Sequence, residues 1–147
     1  MEAIWKIWDE ESFNNYEEYE KSKPDNIFNY YGEKLEEDTN NLLTYEVINK
    51  INDDFKENTF FYCQVPKSNP FHKDTKYSIL LFSASYQPLQ LYPCRFRNLL
   101  SKEVYECESA EELKNRIENE IGQEQTKNAL GKLLYHFYDK ETIKTIK

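Results

Sequence analysis

One stretch constrains the fold more than any other: "KYSILLFSASYQPLQLYPCRFRNLL", Lys76 to Leu100, the most apolar part of an otherwise polar chain. Along Tyr77–Ser85, Ser78, Leu80, Phe82 and Ala84 fall on one face of a strand and Tyr77, Ile79, Leu81 and Ser83 on the other. Both faces are apolar in the middle, which is the pattern of a central strand. "YQPL" can turn around Pro88, and Leu89–Arg97 returns as a second strand with Leu91 on one face and Tyr92, Cys94 and Phe96 on the other. Pro93 lacks an N–H, so this second strand is expected at an edge or at a bulge.

The strands around this hairpin follow from composition. "TFFYCQV", from Thr59, is rich in aromatic and β-branched residues and reads as a strand, and "EVYEC" reads as a shorter one. Between them, "PKSNPFHKDTK" has the Pro, Ser, Asn and Asp of an exposed loop. An antiparallel meander of about four strands over residues 59–107 is therefore expected.

The flanking segments read as helices. In the N-terminal part Trp5, Trp8, Ser12, Tyr16 and Tyr19 fall on helical spacing, with Pro24 ending the segment; a short strand over 3–8 followed by a helix from Asp9 is the competing reading. Asp25 is placed to cap a second helix with Ile27, Phe28, Tyr31 and Leu35 on one face, weakened by Gly32. Thr44, Val47, Ile48, Ile51 and Phe55 match the i, i+3, i+4, i+7 pattern of a third helix closed by Asn58.

Toward the C-terminus, Ser109 and Glu112 form a capping box, and Gly122 stands where a helix ends. A last helix over about 124–138 sets Ala129, Leu130, Leu133, Leu134 and Phe137 on one face, where Gly131 suggests close approach to a neighbour. The expected fold is α+β, one domain over 1–147, with an acidic helical region (1–58), the β-meander (59–107), two helices (108–138) and a charged tail (139–147).

Charge is divided along the same boundaries. Residues 1–58 hold 16 acidic and 6 basic side chains, net -10; residues 59–107 hold 3 and 6, net +3; residues 108–147 hold 8 and 7, net -1. The N-terminal acids are interleaved with aromatic residues, so Glu17, Glu18 and Glu20 beside Tyr16 and Tyr19 form a candidate surface for a protein partner that is itself basic. Direct nucleic-acid binding through this half is disfavoured, because phosphates would be repelled. The plain alternative is a solvated helix face. In the β region Arg95 and Arg97 lie two apart, on one strand face, with Lys73 in the preceding loop; such a pair can grip a phosphate or carboxylate, or can bind acids of its own chain.

Little else in the sequence carries chemistry. Three glycines, Gly32, Gly122 and Gly131, cannot build a phosphate-binding loop or a dinucleotide fingerprint. Two histidines and three cysteines without a C-x-x-C pair do not make a zinc site or a disulfide framework, and the cysteines read as buried small apolar residues. No cofactor or metal is implied. A weak catalytic candidate remains in His72 with Asp74, or with Cys63 as a nucleophile.

The N-terminal "MEAIWKIWDEES" has no signal-peptide pattern, and the longest apolar run, Ile79–Phe82, is far short of the ~20 residues of a membrane helix, so a cytoplasmic protein that does not contact a membrane is expected. Together these readings favour a small acidic protein-binding module without catalysis, of the kind represented by immunity proteins, antitoxins, phage-encoded inhibitors and accessory subunits of prokaryotic antiviral defence complexes. A phosphate-ligand or nucleotide-binding domain using Arg95 and Arg97 is the alternative, and a small hydrolase using His72 is the third.

Overall fold

A computed structural model describes residues 4–5, 9–66 and 78–146. Asp9 starts the first helix, α1 (Glu10–Ser22): its side chain accepts from the Ser12 N–H at 2.7 Å, with Glu10 and Glu11 in the first turn. Of the two N-terminal readings, the helix from Asp9 is therefore the one observed; Trp8 and most of the competing strand lie outside the described residues. Pro24 forces Lys23 into extended backbone (φ -65°, ψ 132°), which ends α1 and begins α2 (Pro24–Asp38) with proline at its first position. Lys23, rather than Asp25, occupies the N-cap, and Asp25 lies in the first turn.

The third helix expected over Thr44–Asn58 does not form. That segment is the strand β1 (Thr44–Ile51), a turn, and the start of β2 (Glu57–Gln64). Four of the five residues at helical spacing, Thr44, Val47, Ile48 and Ile51, are β-branched, and pairing with the aromatic β2 strand wins over the periodicity. The sheet continues through β3 (Ser78–Tyr86), β4 (Cys94–Asn98) and β5 (Val104–Cys107), in the order β1-β2-β3-β4-β5 and antiparallel throughout. The fold is α+β, with five strands in the meander instead of about four.

β3 is central, but only one of its faces is buried. The register with β2 runs Phe61↔Phe82 and then Tyr62↔Leu80, which leaves Leu81 as an extra residue. At this bulge Leu81 and Phe82 both point to the core, each 2% exposed. The bulge flips the alternation, so Ile79, Leu81, Phe82 and Ala84 face inward while Leu80, Ser83 and Ser85 face outward. An apolar run at both parities arises here without a second covered face.

Pro93 precedes β4, across a cis Tyr92–Pro93 bond, and β4 lies between β3 and β5. The expected edge position is thereby corrected: the proline stands outside the strand and costs the ladder no donor. The core on the inner face is aromatic. Phe28 meets Phe61 and Phe96 edge-on at 6.0 and 6.4 Å, and Phe82 lies 5.4 Å from Phe96.

The C-terminal helices follow the sequence closely. Ser109 caps α3 (Ala110–Ile121) through the Glu112 N–H at 3.1 Å, and the Glu112 carboxylate reaches back to the Glu108 N–H. α4 (Glu124–Phe137) buries Leu133 and Phe137, with Leu130 and Leu134 packed against the core. Gly131 has nothing within 4 Å of where a Cβ would stand, so it marks no close approach. The charged tail contains a short helix, α5 (Lys140–Ile143), capped by Asp139. No helix among the described residues is long and apolar enough to cross a membrane.

Candidate binding surfaces

α1 is attached by hydrogen bonds more than by burial. None of its residues is buried. Tyr19 points inward and its hydroxyl donates to the Pro88 carbonyl, while the Tyr92 hydroxyl donates to the Ser22 carbonyl at 2.6 Å. These reciprocal tyrosine bonds pin the helix to the 87–93 connection. Tyr19 is thus an anchor of α1, whereas Tyr16, also on this helix, is 43% exposed and Phe13, another of the aromatics interleaved with the acids, is 51% exposed. Glu10, Glu11, Glu17, Glu18 and Glu20 are exposed around them. Of these acids, Glu20 pairs with Lys23 at 3.8 Å and accepts from Asn26 at 3.1 Å.

The second surface is the outer face of the sheet. Among the described residues no side chain of that face is fully buried: Thr44, Ile48, Phe60, Tyr62, Leu80, Ser83 and Ser85 are half-buried, and Glu46, Lys50, Arg95, Arg97, Val104 and Glu106 are exposed. Arg95 and Arg97 flank Phe96, which points to the core and is 0% exposed. Ser83 faces Arg97 across the ladder and Ser85 faces Arg95.

The two arginines are satisfied differently. Arg95 pairs with Glu106, its direct neighbour on β5, with Nε 3.0 Å from the carboxylate; the acidic helices do not serve it. Arg97 stands opposite Val104, and no ion pair to it is found among the described residues. The cross-strand partner Glu106 was visible only as a member of "EVYEC"; assigning it required the β4–β5 register.

His72, Lys73 and Asp74 lie outside the described residues. Cys63 faces the core at 0% exposure, and burial pushes its thiol from 9.0 up to about 12, the opposite of what activates a nucleophile. Cys94 and Cys107 are also buried and face each other across β4 and β5. The hydrogen bond between these thiols, then burial, raises Cys94. Among the described residues no group of His, Cys, Asp and Glu is placed to hold a metal ion.

Between α2, α3, α4 and the sheet opens a groove of about 540 Å³, floored by Phe28, Phe61, Leu81 and Phe82 with Lys34, Asp38 and Glu118 at its rim. Tyr31 lies on its wall; its hydroxyl is pushed up to about 12, first by burial and then by Glu118. Comparison with protein-family models, with curated proteins and with solved structures finds no match to this chain.

Proposed function

We propose that this chain is a small protein-binding module without catalysis, which docks a basic protein partner on α1. One observation carries the reading: α1 buries none of its residues, yet it presents Phe13 and Tyr16 to solvent among Glu10, Glu11, Glu17 and Glu18. A thirteen-residue helix is marginal in water on its own, and this one retains its exposed aromatics without core burial to account for them. Aromatic anchors ringed by like charges fit a partner of opposite charge, because the field steers encounter and the rings supply contact area. Inhibitory binding in the manner of an immunity protein, an antitoxin or a phage-encoded inhibitor is the kind of activity this surface serves.

The test is affinity capture from the native host with the wild-type chain and with Glu17→Lys, Glu18→Lys and Glu20→Lys combined, each checked for an unchanged circular dichroism spectrum. The partner retained by the wild type should be lost on charge reversal and should elute at raised salt. Retention by the reversed chain removes α1 from the account.

A second reading rests on Arg97. It is exposed, has Ser83 beside it, and is not claimed by Arg95's partner Glu106. This arrangement suits a phosphate or carboxylate group on a ligand. Arg97→Ala should then abolish stabilisation by inorganic phosphate or nucleotide in a melting assay, where a ligand at 100 times its dissociation constant adds about 2.7 kcal/mol.

A further inference from the structure

The free edge of the sheet carries a separate inference. β1 is the first strand of the sheet and pairs only with β2 among the described residues. The Asn52 N–H donates to the Lys56 carbonyl at 3.0 Å, and this pair continues the β1–β2 register in which Thr44 faces Gln64 and Ile51 faces Glu57. Main-chain groups alternate in direction along an antiparallel strand. Those of Lys50, Ile48 and Glu46 therefore point to β2, and those of Ile51, Asn49, Val47 and Tyr45 point out of the sheet. The edge is eight residues long and contains no proline. Such an edge is a template for another strand unless something blocks it.

We propose that β1 pairs antiparallel with β1 of a second copy of this chain, about a two-fold axis at Ile48, so that the two sheets become one. Charge complementarity selects the partner and the register. With the axis at Ile48, Glu46 of each copy opposes Lys50 of the other, twice per dimer. Both side chains are exposed, and neither makes an ion pair among the described residues. Shifting the axis to Val47 would set Glu46 against Ile48, and shifting it to Asn49 would set Lys50 against Ile48; neither register joins opposite charges.

The main chain agrees with the same axis. It pairs Val47 with Asn49 and Tyr45 with Ile51, the residues whose N–H and C=O groups point outward. An axis between two residues would instead oppose an outward-pointing residue to an inward-pointing one. Ile48 meets its own copy at a position without direct hydrogen bonds, where side chains approach most closely. It stands there on the outer face, next to Phe60, its neighbour on β2. A two-fold contact of this kind is self-complementary and closed, so it ends at a dimer.

Sedimentation velocity across about three decades of protein concentration tests this, the mass of a dimer being twice 17.8 kDa. Lys50→Glu and Glu46→Lys should each weaken self-association at least roughly tenfold, or ~1.4 kcal/mol. The double variant Glu46→Lys, Lys50→Glu should recover it. Mixing the two single variants should restore a dimer as well, since every cross-strand pair in the mixed species is then complementary. That recovery cannot come from a variant that failed to fold. A wild type that stays monomeric, or single reversals that leave a dimer unchanged, would overturn the proposal.

Discussion

Gly32, in the middle of α2, lies against the ring of Tyr45 on β1, so closely that a Cβ at Gly32 would overlap the ring carbons Cγ, Cδ2 and Cε2. Tyr45 cannot retreat easily, because its other side stacks on Phe61 with ring centres 5.9 Å apart and planes 7° from parallel. Two effects of Gly32→Ala oppose each other. Alanine gains ~1 kcal/mol of helix propensity over glycine. Overpacking of a helix against a sheet costs about 1–3 kcal/mol or more. Here the obstacle is a ring held from behind, so the second effect wins, and Gly32→Ala should lower the urea unfolding free energy by ~2 kcal/mol. Adding Tyr45→Leu should remove most of that loss. A neutral Gly32→Ala would mean that the ring has room to move.

Phe55 offers the reverse case. It closes the β1–β2 hairpin with φ 62°, while its N–H donates to the Asn52 carbonyl at 3.0 Å. This is the left-handed position of a three-residue hairpin loop, where glycine is favoured and a bulky side chain is strained. The ring is 77% exposed and returns little packing. Phe55→Gly should therefore stabilise the fold by ~1 kcal/mol, seen as a higher unfolding midpoint with an unchanged denaturant slope.

Alkaline pH should weaken the fold in a defined window. Burial pushes the Cys63 thiol from 9.0 up to about 12, and burial with the Glu118 charge pushes the Tyr31 hydroxyl from 10.0 up to about 12. The native chain holds these protons after the unfolded chain has begun to lose them. Stability is thus unaffected below pH ~9 and falls as pH rises from there toward 12, because the unfolded state binds fewer protons. Urea titrations at a series of pH values check this. In Cys63→Ala the decline should be shallower but should still begin near pH 9, because the hydrogen bond with Cys107 and burial also hold up the Cys94 thiol, which starts from 9.0.

Much of this architecture was legible in the sequence where signals are local. Ser109 with Glu112 marked α3, Pro24 divided α1 from α2, and the aromatic β-branched run marked β2. The failures share one physical origin. Thr44–Ile51 satisfies a helical spacing and a strand composition at once, and only its pairing with β2, across the hairpin, decides between them. The bulge at Leu81 is likewise a property of two strands, so the sequence of β3 alone suggested two covered faces. On the surface, the partition of charge was readable by counting, whereas the pairing of Arg95 with Glu106 depends on register. Tyr19 resembled Tyr16 in sequence, yet one faces the 87–93 connection and the other faces solvent, a difference set by helix phase.

Asn98 and Glu120 form a buried polar contact between the end of β4 and α3. Asn98 is 1% exposed and Glu120 2%. The Asn98 Oδ1 accepts from the N–H groups of Leu100 at 2.9 Å and Ser101 at 3.1 Å, which shapes the β4–β5 turn, and its Nδ2 donates to Glu120 Oε1 at 3.3 Å. Asn98→Asp keeps the acceptor for both turn N–H groups but replaces the donor with a second carboxylate. Two carboxylates in contact out of water cannot both ionise cheaply, so this variant should lose ~3 kcal/mol at neutral pH. The loss should shrink on acidification, since one shared proton restores a donor between the two groups. Glu120→Gln should rescue Asn98→Asp at neutral pH by supplying that donor from the other side. Asn98→Leu, which removes the acceptor as well, should be destabilised by a similar amount, and acid or Glu120→Gln should recover only the part that comes from leaving Glu120 without its donor, not the part that comes from the two turn N–H groups. If the loss in Asn98→Asp does not change with pH, the side chain serves the turn alone, and its contact with Glu120 contributes nothing.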